Sequence, residues 1–184
     1  RDRLRSRGLG DVYKRQNQVY ASGLIDLQGQ KSSMDAKIGY LGRDDQHIDM
    51  NYVARHQGAK TESNMEVSGI LRDQAFKLFR GTIDFLHGSS GAVGNEKEDV
   101  LLLGDDVVNQ TIPLILCAEE DVEGNHGASI GELDEKTLFY LMSRGFTKEA
   151  AEKMIARARL DAVAGQIKEP SIREKTLKYM EERQ

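Results

Sequence analysis

Two periods of hydrophobic patterning divide the chain. Up to about residue 118 the apolar residues alternate or come in short runs, and beyond it they recur every three or four positions. HIDMNYVARH, from His47 to His56, puts Ile48, Met50, Tyr52 and Ala54 on one face, the period of a half-buried strand. Val19 to Leu27 reads as another strand, carrying a glycine, and Ile38 to Leu41 as a short one closed by Gly42. Further strands are predicted at Asn64 to Leu71, Phe76 to Phe79, Gly81 to Leu86, Val100 to Leu103 and Ile112 to Ala118. Gly69, Gly81, Gly88, Gly91, Gly94 and Gly104, with Asp and Asn clusters, mark the turns. The segment from Gly88 to Asp99 reads as a mobile loop, because glycine, serine and charge bury little apolar surface.

No helix-length segment separates these strands, which excludes a doubly wound sheet. Sandwich, barrel and parallel β-helix stay open on pattern alone. Two features lean toward the β-helix. The runs LLL at Leu101 to Leu103 and LILC at Leu114 to Cys117 are apolar on both faces, as in strands covered on two sides. There is also no Asn-Gly or Asp-Gly pair of the kind that closes hairpins.

The extended region gives way to helices across Glu119 to Phe146. Asp134 is an N-cap for DEKTLFYLMSR, with Glu135 in the first turn, Arg144 in the last and Gly145 just beyond. Leu138, Phe139, Leu141 and Met142 form its apolar stripe. Thr147 caps a second helix with Ala150, Ala151, Met154, Ile155, Ala158 and Ala162 at helical spacing. Pro170 is read as the stop of that helix, and Ser171 with Glu174 as the capping box of a third.

Of the 184 residues 30% are charged, and no apolar run approaches the roughly 18 residues of a membrane span. A net charge of −4 without a basic stripe argues against nucleic acid. The first sixteen residues differ from the rest: six Lys or Arg against two Asp give them +4, leaving −8 for Asn17 to Gln184. They fit no secretion signal and are expected to be a foreign or disordered leader. One cysteine, Cys117, allows no internal disulfide, so a cytoplasmic protein is expected.

Phosphate-loop, nucleophile-elbow and H-E-x-x-H motifs are absent. His47, His56, His87 and His126 are too dispersed for a closed metal site. Cys117, after an apolar run, reads as a buried small hydrophobe. Acidic groups such as Glu119, Glu120 and Asp121 leave room for a β-helix polysaccharide lyase or glycosidase. His126 lies at the seam between Gly124 and Gly127, where the backbone is uncrowded. A lone histidine at a turn is ordinarily structural; as a ligand it would use one neutral ring nitrogen, with the other oriented by a hydrogen bond.

The run IPLILCAEEDVEGNHGASIGELDEKTLFYLMSRGF, Ile112 to Phe146, resembles the core signature of the SufB/SufD family of iron–sulfur cluster assembly proteins. The resemblance extends upstream through EKEDVLLL, Phe79 with Gly81, Gly69 to Leu71, TESNM at Thr61 to Met65 and His56, and downstream through AAEKMIARARL. It covers about Asn17 to Gln184, roughly the C-terminal half of such a protein.

The resemblance implies a mainly β chain: a right-handed parallel β-helix followed by a small C-terminal α-helical domain. The expected division is a leader at 1–16, a β-helix core at 17–129, truncated at its N-terminus, and helices at 130–184. It further implies a non-enzymatic scaffold subunit of the SUF system. Such a subunit pairs with a SufB-like paralogue through the β-helix, docks a SufC-like ATPase through its helices, and shares a transient iron–sulfur cluster that it does not bind alone. The sequence His126-Gly127-Ala128-Ser129 is similar to the SufD side of the family, although Gly124 stands where some members have cysteine. Carried over residue by residue, His126 is the candidate iron or cluster ligand at the SufB interface. Phe139, Tyr140, Ser143, Arg144 and Gly145 are the candidate SufC contacts, and Gly124, Gly127 and Gly131 are structural.

Overall fold

Eight strands, none of them separated by a helix, make up the chain from Gln18 to Gly131 in a computed structural model that describes residues 17–181. The first sixteen residues, expected to be a leader, lie outside the described residues. The strands are β1 (Gln18–Leu27), β2 (Ser33–Gly42), β3 (His47–His56), β4 (Glu62–Arg72), β5 (Phe76–Phe85), β6 (Ala92–Leu103), β7 (Val108–Cys117) and β8 (Val122–Gly131). Odd strands form one parallel sheet, β1-β3-β5-β7, and even strands a second, β2-β4-β6-β8. Each coil thus lays one strand on each sheet, and the fold is a parallel β-helix of two-strand rungs.

Gln18 pairs with His47 and His47 with Phe76, a rung of 29 residues by subtraction, and Phe76 pairs with Val108, a rung of 32. This period is invisible as a sequence repeat because stacking demands only the same backbone path, not the same side chains. The corners show the same independence. Lys31 and Lys60 adopt φ of 59° and 56°, and Asp44 and Asp73 φ of 52° and 59°. Gly91 and Gly104 occupy the corresponding corners of the next rung, at φ 73° and 133°. The left-handed corner recurs because the rung below holds it, with Lys31 N–H donating to Ala59 O at 2.9 Å and Lys60 N–H to Ser90 O at 2.9 Å.

Several sequence expectations change here. The predicted loop at Gly88 to Asp99 is largely strand, since Ala92 to Leu103 forms β6 and its charged residues pair in register with β4. Gly69, Gly81 and Gly94 are no turns: they lie inside β4, β5 and β6, and β5 runs unbroken from Phe76 to Phe85. The stretch around His126 is not a turn either but the strand β8. Ladder pairing overrides local composition in each of these places.

Three helices follow: α1 (Glu135–Ser143), α2 (Lys148–Ala164) and α3 (Pro170–Glu181). The Asp134 side chain accepts from Thr137 N at 3.1 Å and Thr147 Oγ1 from Ala150 N at 3.2 Å, the expected N-caps. Gly145 has φ of 95° just past α1. Pro170, however, begins α3 rather than ending α2, which stops at Ala164; its missing N–H is harmless in a first turn. Ser171 is inside α3, and its Oγ donates to Glu169 at 3.0 Å instead of forming a capping box.

Helix α2 lies on the outer face of the even sheet. Leu41, Ile70 and Leu101 are register partners on three successive rungs, and they pack with Ala156 and Leu160 of the helix. Arg159 adds an ion pair to Asp99 at 2.7 Å. Strand β6 is therefore apolar on both faces for the reason its LLL run suggests.

Between the sheets the inward rows change character along the axis. The row Ala36–Met65–Glu96–His126 runs from apolar to polar, as does Val19–Ile48–Lys77–Asn109 in the opposite sheet. The early rungs hold a hydrophobic core that includes Met50, Met65 and Val67, and Phe79 of β5 packs against it. In the later rungs a fully buried Lys77 bridges the sheets, donating to Glu98 and, at 3.0 Å, to Thr111, which itself donates to Glu98 at 2.7 Å. Replacing Lys77 by Met is expected to cost about 3–5 kcal/mol of unfolding free energy, because it leaves the Glu98 carboxylate buried and uncompensated. The double variant Lys77→Met/Glu98→Leu should recover much of that loss in denaturant titrations.

Candidate functional site

The last rung, β7 and β8, is one of two open ends of the solenoid among the described residues, the other being β1 and β2. Both strands have a neighbour on one side only. Consequently Ile115 and Ile130, whose partners Ile83 and Val100 one rung earlier are core, are exposed on the inward rows; Ile112, Leu114 and Leu116 are exposed on the outward row of β7, over Arg80, Thr82 and Asp84. Cys117, expected to be buried, is exposed for the same reason: it continues the inward row Leu27–His56–Phe85, but no further rung covers it.

His126 sits on the inward row of β8, directly over Glu96 of β6. Its side chain is 25% exposed, and its Nδ1 stands 3.4 Å from Glu96 Oε1. The Glu96 side chain is enclosed, the residue keeping only 3% of its surface, and Oε1 has no hydrogen-bond partner. Burial pushes the Glu96 carboxyl up to about 7; the nearby Glu98 adds to the rise and Lys77 opposes it. Gly81 makes the space, since a Cβ there would lie 2.2 Å from Glu96 Oε2. Sequence reasoning missed Glu96 because an acidic residue in EKED reads as solvated until the register turns it inward.

The three glycines near the seam differ. A Cβ at Gly124 would lie 2.8 Å from Ile115 Cγ2, so a side chain there would crowd the inward packing. Gly127 and Gly131 have open space where a Cβ would go. Glu119 and Asp121 hold the corner: Glu119 accepts from Gly88 N at 3.1 Å and Asp121 from Ser90 Oγ at 2.7 Å.

A second surface lies on α1, which buries none of its residues. Leu138 and Leu141 are half-buried, whereas Phe139 is 75% exposed and Tyr140, Met142 and Phe146 are exposed as well. The Arg144 guanidinium stacks 5.2 Å from the Tyr140 ring centroid, and Ser143 Oγ donates to Tyr140 O at 2.7 Å. The candidate contact residues Phe139, Tyr140, Ser143 and Arg144 thus share one exposed end of the helix, closed by Gly145.

The sequence profile of the family described as SUF system FeS cluster assembly, SufBD core domain, matches residues 14–159. The chain belongs to the SufBD family. The iron–sulfur cluster assembly protein SufD of Bacillus subtilis is 30% identical over 156 residues, covering 85% of this chain and 36% of that protein. SufB of the same organism is 27% identical over 146 residues, covering 79% of this chain and 31% of that protein. A SufBD family protein of Mycobacterium tuberculosis is 31% identical over 130 residues, 71% of this chain and 15% of its own length. The chain therefore spans about a third of the SufD and SufB sequences it matches. Among the described residues no group of three or more His, Cys, Asp or Glu is placed to hold a metal ion, and no helix is long and apolar enough to cross a membrane.

His56 forms a separate polar cluster deeper in this SufBD solenoid. It is fully buried, with Nδ1 2.7 Å from Thr61 Oγ1 and Nε2 2.8 Å from Ser63 Oγ. Thr61 Oγ1 donates to Gly58 O, so it accepts from the imidazole Nδ1–H, and Nε2 is left to accept from Ser63. Burial lowers the His56 pKa from 6.5 to about 4, against a weaker opposing pull from Asp84. The unfolded chain then binds a proton that the folded one refuses between those two values, so stability falls as pH drops from 6.5 to 4. The loss is expected to reach about 3 kcal/mol, and His56→Gln should remove this part of the pH slope in urea titrations.

Proposed function

We propose that this chain is a non-enzymatic scaffold subunit on the SufD side of its family, one that presents His126 to iron or a nascent iron–sulfur cluster at a contact with a SufB-like paralogue. The observation that carries the reading is the position of the imidazole: it stands on the inward row of a terminal rung whose two edges are unpaired and lined by exposed Ile112, Leu114, Ile115, Leu116 and Ile130. An unpaired parallel edge of that polarity invites strand addition or stacking by another chain. The amide ladder Asn64–Asn95–Asn125, with steps of 3.0 Å, runs out to the same edge, which favours a partner that continues it. His126-Gly127-Ala128-Ser129 and the similarity to SufD support the paralogue assignment.

The cluster is cargo in this reading, transient and shared, and a chain that supplies fewer than the usual four ligands suits that role because it does not close the coordination sphere by itself. The exposed end of α1 is the proposed dock for a SufC-like ATPase. Phe139 and Tyr140 supply the aromatic area that anchors protein interfaces, and Arg144 the charge beside it. Motion driven at that dock would reach the terminal rung through the short connection Glu132–Asp134, which joins β8 to α1.

His126→Ala is expected to leave circular dichroism unchanged and to reduce cluster yield in the complex with SufB-like and SufC-like partners by at least about tenfold; an unchanged yield would remove the histidine from the reaction. Phe139→Asp with Tyr140→Ala should abolish co-purification of the SufC-like subunit while retaining the SufB-like one. Retention of both would move the dock elsewhere.

A further inference from the structure

The Glu96 Oε1 oxygen is buried with no hydrogen bond, and the His126 ring nitrogen faces it at 3.4 Å. Glu98, two residues along the same inward row, is fully satisfied: Lys77 and Thr111 occupy its two oxygens. Lys77 donates to Glu98 and Thr111, and neither bond involves Glu96. The three buried charges Lys77, Glu96 and Glu98 leave a formal excess of one negative charge, and Glu96 is where it falls. Burying such a group unpaired is expensive, so it persists where something compensates it.

We propose that Glu96 and His126 together form a two-donor half-site for a divalent transition-metal ion, open toward the terminal rung. Their facing atoms, Glu96 Oε1 and His126 Nδ1, are 3.4 Å apart. Two bonds of about 2.1 Å to one ion would set donors at that separation at an angle of about 108°, close to tetrahedral. A nitrogen with a carboxylate oxygen suits Fe(II), Co(II) or Zn(II). Gly81 keeps the carboxylate seated, since any side chain at that position would displace it. With no third donor among the described residues, the remaining positions are left to cargo sulfide, water or a partner's residue. That the metal is iron rests on the scaffold reading above; the site itself rests on the geometry.

The test uses Co(II) as a spectroscopic substitute, titrated into the purified chain under anaerobic conditions and followed by its visible d–d absorption. The wild-type chain should give a saturable signal, and Glu96→Gln and His126→Ala should each weaken it by about tenfold or more, the double variant being little worse than either. Gly81→Ala, which alters no donor, should weaken it as well, and it decides the matter if Glu96→Gln fails to fold. No saturable signal in the wild type, or undiminished binding by both Glu96→Gln and Gly81→Ala, overturns the half-site. In that case cluster yield with His126→Ala still stands as a separate measure of the scaffold reading. Loss of cobalt binding together with normal cluster yield would instead keep the half-site and sink that reading.

Discussion

Each rung of this solenoid satisfies its backbone through the rungs on either side. Parallel ladders leave little freedom in register, so a residue's place in the coil determines whether it faces the interior, whatever its chemistry. Two consequences follow. Polar residues such as Lys77, Glu98 and His56 are carried inward and must find partners there, and they do so across the narrow space between sheets or at its corner. Where the stack stops, a full row of backbone groups and apolar side chains is left with one neighbour too few.

These consequences meet at β8. The interior rows that are apolar in the first rungs carry Lys77, Glu96 and Glu98 in the third and open in the fourth, so the imidazole stacks over a buried carboxylate that itself stacks over Met65. An imidazole placed on an exposed loop would be solvated and mobile. On this rung the His126 ring is held by the ladder to β6, beside a carboxylate shielded from water.

The strands with clean alternation, such as β3, were legible in the sequence, as were the doubly apolar run of β6 and the caps of α1 and α2. Each rests on a local signal: period, coverage, or a side chain bonding its own first turn. The misread segments are those in which the neighbouring rung outweighs local composition. Gly81, assigned to a turn by composition, lies inside β5. GSSGAVGNEKED is loop by composition and largely strand by pairing. Cys117 is apolar in context yet uncovered, because exposure at a stack end depends on what comes next and not on the run before it. Of the candidate site, the motif marks His126 as a residue to consider. Glu96 was not legible, since nothing in EKED says which of its charges the pleat turns inward.

The helix α2 spans only part of the sheet on which it rests. It binds Leu41, Ile70 and Leu101 of three successive rungs, and the next residue in that row is Gly131, with no side chain to offer. The helix is a splint across three leaves; within the sheet the fourth pairs with β6 alone, and it is tied to the helix only past its end, through Leu133. Thermal opening should therefore start at the leaf that carries the imidazole and stop at the splinted ones, which makes the receptive end pliant and the stem behind it stiff.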